Sequence, residues 1–144
     1  MRLTTRSNLA MRTLMYCAAN PGRTVRKQDV ARACNASENH LAQVIHKLAR
    51  HGVLATVRGR SGGLRLAHPP EDIRIGRVIR ALESTVPFTQ CMAAEVSECP
   101  LRDCCRLRCV FAEALEAFYA TLDRVTLRDL VSGNDDLMKL LRAA

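Results

Sequence analysis

The stretch from Cys91 to Cys109 holds five of the seven cysteines of this chain within nineteen residues. It reads Cys91-Met-Ala-Ala-Glu-Val-Ser-Glu-Cys99-Pro-Leu-Arg-Asp-Cys104-Cys105-Arg-Leu-Arg-Cys109. Three or four thiolates gathered on one segment are good ligands for a soft metal or an iron–sulfur cluster. The spacing Cys91-x7-Cys99-x5-Cys105 spans a predicted loop and the start of a predicted helix, and it can wrap three thiolates around one face of such a cluster. Cys105 and Cys109 are four apart and share a helix face. Cys104 points about 100° away from Cys105, so the two do not serve one cluster equally. Structural zinc stays open, because four thiolates suffice for it. No histidine follows His68, which excludes a mixed Cys/His site in the second half. Cys17 and Cys34 sit in apolar helical patterns and read as buried small hydrophobes.

The elements that must position these thiols belong to a chain of 144 residues, enough for one or two small domains. About half is hydrophobic, at 48%, but with no Trp, three Phe and two Tyr the core must rest on aliphatic side chains. Charge is uneven. Residues 1–67 carry twelve Arg or Lys against Asp29 and Glu38, a surplus of ten, whereas residues 68–144 carry ten against twelve acids, a deficit of two. A basic half joined to a near-neutral half is the footprint of phosphate binding. No apolar run approaches the roughly 20 residues of a membrane span. A helical pattern at the very start argues against a signal peptide, and an odd cysteine count argues for a reducing cytoplasm. No pattern of paired acids or of a Cys/His nucleophile points to an enzyme, and an electron carrier has little use for an arginine-rich half.

Residues 3–19 form a predicted first helix, with Leu3, Leu9, Ala10, Leu14 and Cys17 on one face and Asn20-Pro21-Gly22 as its stop. Residues 24–34 form a short second helix with Val30 and Ala33 inward, and Asn35-Ala36 breaks it. Ser37 caps a third, whose Leu41, Val44, Ile45 and Leu48 give the stripe of a half-buried helix. The period then changes to two. Val53, Ala55 and Val57 alternate with other residues, residues 58–63 form an arginine-bearing turn, and Leu64 and Leu66 resume the alternation, as in a β-hairpin. Asp72 caps a fourth helix through Ile73, Ile75, Val78, Ile79 and Leu82. A long helix runs from about residue 102 to 122 with Phe111, Ala114, Leu115, Phe118 and Leu122 as its apolar stripe, and a second copy of itself is the simplest partner for that stripe. Thr126 caps a short helix, and residues 137–141 add a last turn. The expected fold is mainly α with a small β-hairpin wing: a winged helix-turn-helix DNA-binding domain plus a long dimerisation helix. Its parts are a DNA-binding domain at 1–68, a connecting helix and cysteine loop at 69–101, and the dimerisation helix and tail at 102–144.

In such a module the third helix enters the major groove with polar residues at its N-terminal end. Ser37, Glu38, Asn39, His40 and Gln43 supply them, with Lys47 one turn further on. Asn and Gln can bond adenine bidentately and Glu can accept from cytosine. Arg26 and Lys27 precede this helix. Arg58, Arg60, Ser61, Gly62 and Arg65 form the wing, where arginines around a glycine-rich tip reach the minor groove or clamp phosphates.

Several motifs together resemble the winged-helix iron–sulfur repressors, the family that includes NsrR, IscR and RirA. They are the opening Met1-Arg2-Leu3-Thr4, the wing Val57-Arg58-Gly59-Arg60-Ser61-Gly62-Gly63-Leu64-Arg65-Leu66-Ala67 and the run Ile73-Arg74-Ile75-Gly76-Arg77-Val78-Ile79-Arg80. Further on they are Cys99-Pro100-Leu101, Cys105-Arg106-Leu107, Ala117-Phe118 and Thr126-Leu127-x-Asp129-Leu130-Val131. The resemblance covers nearly the whole chain and is nearest the nitric-oxide-sensing branch. It implies a homodimer bound to a palindromic double-stranded DNA operator, with one iron–sulfur cluster per subunit, 4Fe–4S favoured over 2Fe–2S. It further implies that reaction of the cluster with nitric oxide lowers operator affinity. A same-fold regulator of iron or cluster supply, or of thiol oxidation, is the alternative.

By position, the resemblance carries the three ligands over to Cys91, Cys99 and Cys105 and leaves Cys104 and Cys109 as extra cysteines. Some relatives supply a fourth, acidic ligand from the other subunit, where this chain has Asn8. Others place a histidine three residues past the third cysteine, where Arg108 stands here. The fourth ligand is therefore open among Asn8 of the partner subunit, Glu83, Cys109 and an external small molecule.

Overall fold

Thr4 opens the first helix by accepting a hydrogen bond on its hydroxyl from the Ser7 amide at 3.2 Å, which satisfies one of the donors a helix N-terminus leaves unpaired. The structure is a computed structural model and describes residues 3–142 apart from 61, 86, 94–98 and 102. Helix α1 runs Thr5–Ala19, α2 Lys27–Ala33 and α3 Glu38–Arg50. The second helix starts later than the predicted residue 24 because Val25 is used otherwise. Its amide donates to the Leu64 carbonyl at 2.9 Å and its carbonyl accepts from the Leu64 amide at 2.8 Å, making a third strand-like edge beside the hairpin. In α2, Val30 is buried as expected, but Ala33 is exposed and Ala31 takes the inward place. Asn35 turns the chain between α2 and α3 with φ +47°, a left-handed conformation that Asn tolerates better than most residues. The α3 stripe of Leu41, Val44, Ile45 and Leu48 is buried as its spacing predicts.

Strands β1 (Leu54–Val57) and β2 (Gly63–Leu66) form an antiparallel hairpin with Leu54 opposite Leu66 and Thr56 opposite Leu64. The predicted alternation is displaced by one residue in β1. Leu54 is the buried side chain, while Val53 and Ala55 are half-buried and Val57 is exposed. A slip of one residue reverses every side chain in a strand of period two. Gly63 is required at its position, since a Cβ there would collide with the Val25 carbonyl oxygen.

A short 3-10 turn, Pro70–Asp72, leads to α4, Ile75–Glu83. Asp72 does not cap α4; Arg74 holds the N-cap position, without a side-chain cap, because residues 70–72 are spent on the turn. After a second 3-10 turn, Gln90–Met92, helix α5 runs Arg106–Asp123, starting four residues later than predicted, with Cys105 in its N-cap position. The predicted start at residue 102 lies outside the described residues. Helix α6, Leu127–Val131, opens on a capping box in which Thr126 and Asp129 satisfy each other's amides, and α7 spans Asp135–Leu141.

Helix α1 is the hub. Helices α3, α4, α6 and α7 and strand β2 all pack on it. The tail is pinned there by Asn20, whose side-chain amide donates to the Leu141 carbonyl at 2.8 Å. The C-terminal segment thus returns to the N-terminal unit. Helix α5 lies along α4 and turns Tyr119 inward, with Phe111, Leu115, Phe118 and Leu122 half-buried. Ala114 is exposed, so most of the predicted partner-seeking stripe is already covered within the chain. The uncovered face is a neighbouring one: Leu107, Val110, Ala114, Ala117 and Thr121, all exposed, with Leu107 at 54% and Val110 at 56%. Their alternating spacing of three and four is the seam of two helices packed side by side.

Candidate nucleic-acid interface and metal centre

The first turn of α3 stands clear of the core. Ser37 accepts on its hydroxyl from the His40 amide at 3.2 Å, and Ser37, Glu38, Asn39, His40 and Gln43 are all exposed. Lys27 and Glu38 form an ion pair at 3.0 Å across the α2–α3 corner. Being exposed, that pair contributes little stability, but it sets an expected groove-facing side chain, Glu38, against Lys27 beside it. Arg26 is exposed at the start of α2.

On the wing, Arg58, Arg60 and Arg65 are exposed, and among the described residues none of them is held in an ion pair. Gly59, at φ +102°, makes the turn, and the Gly62 amide closes it on the Gly59 carbonyl at 2.9 Å. Ser61 lies outside the described residues. The structure therefore presents two basic or polar elements, the α3 N-terminus and the wing, and Val25, just ahead of α2, is bonded to Leu64 of the wing.

Lys47 is not among these exposed groups. It is half-buried and its ammonium donates to the Leu82 carbonyl, tying the middle of α3 to the end of α4. Next in sequence, Glu83 accepts from the Thr4 amide at 2.9 Å and from the Thr4 hydroxyl at 2.8 Å. Burial pushes the Glu83 carboxyl up, but hydrogen bonds from Ser7 and Thr4, with Lys47 nearby, outweigh it and hold the group below the ordinary carboxylate range. Glu83 is thus engaged with the start of α1. A third link joins α4 to α5. Arg80 pairs with Glu116 at 2.8 Å and lies 4.1 Å from the centre of the Tyr119 ring, with Asp123 at 3.8 Å. None of these three ties was anticipated, because no local pattern marks a long-range partner.

The cysteine segment joins α4 to α5. Cys91 is half-buried in the second 3-10 turn, with its sulfur 3.1 Å from the Thr89 hydroxyl. Cys99 is exposed and Cys105 is half-buried. Cys104 lies in the turn before α5, outside the helix, where its thiol donates to the Leu101 carbonyl at 3.6 Å. Cys109 is exposed on α5, and Asn8 is exposed on α1. No disulfide joins any of the seven cysteines. Among the described residues, no three His, Cys, Asp or Glu side chains converge closely enough to hold a metal ion.

The donor set nonetheless suits a soft metal. It is four thiols, Cys91, Cys99, Cys104 and Cys105, on one connection, the last of them at the N-terminus of a long helix that has no side-chain cap. The segment is anchored to α5 by an edge-to-face contact of Phe88 and Phe111 at 5.6 Å. Cys17 and Cys34 are apart from this. Burial pushes the Cys17 thiol up to about 12, with Cys34 adding to it, as expected of buried small apolar residues.

A model of the Rrf2 family, described as an iron-dependent transcriptional regulator, matches residues 3–133. The HTH-type transcriptional regulator NsrR of Bacillus subtilis (strain 168) is 41% identical over 143 residues, which are 99% of this chain and 98% of that protein. Protein aau3 of Rhizobium meliloti (strain 1021) is 40% identical over 141 residues, 98% of this chain and 92% of that one. Among solved structures, T. potens IscR superposes with a TM-score of 0.73 at 24% identity, covering 100% of this chain and 93% of its own. CymR, the global cysteine regulator of B. subtilis, superposes with a TM-score of 0.70 at 23% identity, covering 92% of this chain and 97% of its own. At that identity these two speak for the fold, and they share its winged-helix plan. No helix among the described residues is long and apolar enough to cross a membrane. With a family model matched over nearly its whole length and relatives that are regulators rather than enzymes, this chain belongs to the Rrf2 family of DNA-binding transcriptional regulators.

Proposed function

We propose that the protein is a homodimeric repressor that carries an iron–sulfur cluster on Cys91, Cys99 and Cys105 and releases a palindromic operator in response to nitric oxide. The observation that carries this reading is the position of the three thiols. They occupy the one connection whose first end, the last turn of α4, is tied both to the recognition helix through Lys47 and to α1 through Glu83. The resemblance of the motifs to nitric-oxide-sensing repressors supports the choice of signal. When bound, the cluster supplies an iron centre open to nitric oxide and, through its thiolate bonds, a fixed geometry for the segment.

The chain's own part is mechanical. Cys91, Cys99 and Cys105 hold the connection in one shape. Leu82 and Glu83 pass that shape to α3 and α1, and Arg80 passes it to α5 through Glu116 and Tyr119. Leu107, Val110, Ala114, Ala117 and Thr121 seat a second copy, so that two α3 helices face half-sites about 34–36 Å apart. A change in the connection then alters the spacing and tilt of the two readers, and a tenfold loss of affinity needs only about 1.4 kcal/mol of differential binding. Arg26, Lys27, Ser37, Glu38, Asn39, His40, Gln43, Arg58, Arg60, Ser61, Gly62 and Arg65 are assigned to DNA, and Lys47 to positioning. For the fourth ligand, Glu83 is disfavoured by its two bonds to Thr4, which leaves Asn8 of the partner subunit, Cys109 or an external molecule.

The test is the visible spectrum and duplex affinity of protein purified without air. The expected result is iron-bearing, coloured protein that bleaches with near-stoichiometric nitric oxide and loses duplex affinity in parallel. Cys91→Ala, Cys99→Ala and Cys105→Ala are each expected to be colourless. Iron-free, colourless wild-type protein that binds its duplex unchanged would overturn the proposal. The exposure of Cys104 and Cys109 favours thiol oxidation as the second reading. It takes over if nitric oxide leaves the spectrum unchanged while an oxidant links cysteines in cluster-free protein.

A further inference from the structure

A cavity of about 380 Å³ opens between the end of α3, the root of the wing, the Pro70–Asp72 turn and α4. Its volume falls in the range of small-molecule sites, roughly 300–1,000 Å³. The floor is apolar, made by Leu48, Val78, Ala81 and Leu82. Five ionisable side chains ring it. His51, His68, Arg74 and Arg77 are basic, and Asp72 is the one acid. Among the described residues, Arg77 has no ion-pair partner, although it is exposed on α4 beside the cavity. No cysteine lines the cavity, so it is separate from the cysteine segment.

A convex basic patch is sufficient to hold a DNA phosphate. An apolar floor beneath a basic rim is the chemistry of a different occupant, one that buries a hydrocarbon body and leaves an anionic head to an arginine. We infer that this cavity binds a small organic anion with an apolar body, with Arg77 and the histidines at its mouth receiving the head group. The occupant touches both DNA-reading elements at once, because Leu48 and His51 belong to the end of α3 while Val53 and His68 flank the wing. It is therefore an effector position distinct from the cysteine segment, although it shares Leu82 with the path proposed to lead from that segment to α3.

Equilibrium dialysis of radiolabelled octanoate against the full chain tests this, with duplex binding measured alongside. One octanoate per chain is expected. Arg77→Ala, which removes the head-group partner, and Ala81→Leu, which fills the floor while keeping a good helix former, are each expected to weaken binding about tenfold or more. Octylammonium, with the same tail and the opposite charge, is expected not to compete. Leu140→Gln, at a 78% exposed position on α7, is expected to leave octanoate binding unchanged. The proposal is overturned if binding does not saturate, if octylammonium competes equally, or if Leu140→Gln abolishes binding while Arg77→Ala and Ala81→Leu do not. Should Ala81→Leu fail to fold by circular dichroism, Arg77→Ala and octylammonium decide. Loss of duplex affinity in Arg77→Ala without any octanoate binding would assign the patch to DNA phosphate instead and also overturns it.

Discussion

The reader and the cysteine segment are built on opposite principles. In the reader, Leu14, Val30, Leu41 and Leu48 are almost wholly excluded from water, and every helix has a buried face. Among the described residues of 84–105, none is buried and the 3-10 turn Gln90–Met92 is the one regular element. The first region owes its shape to apolar packing and therefore holds that shape whatever it binds. None of the described residues of the second is buried, and in the proposed function a bound cluster sets their geometry. What joins them is a small number of polar ties at the end of α4.

The widest gap between the two regions is expected in side-chain truncation. Leu48→Ala should destabilise by about 2–5 kcal/mol as a buried leucine leaving a cavity, whereas Leu101→Ala, at 59% exposure, should stay within about 0.5 kcal/mol. Urea denaturation of both variants checks this, and equal losses would erase the distinction. Next comes the wing root. Gly63→Ala forces a Cβ against the Val25 carbonyl and should cost about 1–3 kcal/mol, with faster hydrogen exchange at the Val25 and Leu64 amides. Unchanged exchange would mean that Val25 does not anchor the wing.

Smaller effects probe the ties. Lys47→Met should lower stability by about 1 kcal/mol through the lost charged donor, while Arg58→Ala should leave Tm unchanged and reduce the salt slope of duplex binding by about one. If Lys47→Met reduces the salt slope as Arg58→Ala does, Lys47 contacts phosphate after all. The smallest effect concerns acid. The Glu83 carboxyl is held below its ordinary value when folded, so it contributes stability that is present above the unfolded value and is lost as pH falls through the folded one. Glu83→Gln should therefore narrow the gap to wild type as pH drops below about 4. Chemical denaturation from pH 7 to pH 3 reads it, and a gap that widens toward low pH would contradict the assigned sign.

Local patterns carried much of this molecule. The α3 stripe, the Ser37 cap, the stop at Asn20 and Gly22, the cap at Thr126 and the basic wing were all legible, because helix and strand periods and end signals act between residues a few positions apart. The resemblance of the motifs likewise led to the family. Other features resisted the same reasoning. The inward residue of β1 is Leu54, because register is set by pairing with β2 and not by alternation alone. The uncovered face of α5 lies to one side of its most aromatic stripe, because α4 takes that stripe first.

The sequence by itself therefore determined the order and type of the elements, the distribution of charge and the clustering of the thiols, all of which are properties of neighbours along the chain. Only the tertiary structure decided that Lys47 bonds the Leu82 carbonyl and that Glu83 holds Thr4, the cap of α1, since their partners are 35 and 79 residues away. It alone also set the cavity beneath the wing root, whose walls come from the end of α3, the residues flanking the hairpin, the Pro70–Asp72 turn and α4. Side chains that far apart along the chain meet only after the apolar core has chosen how the helices cross, and no local period records that choice.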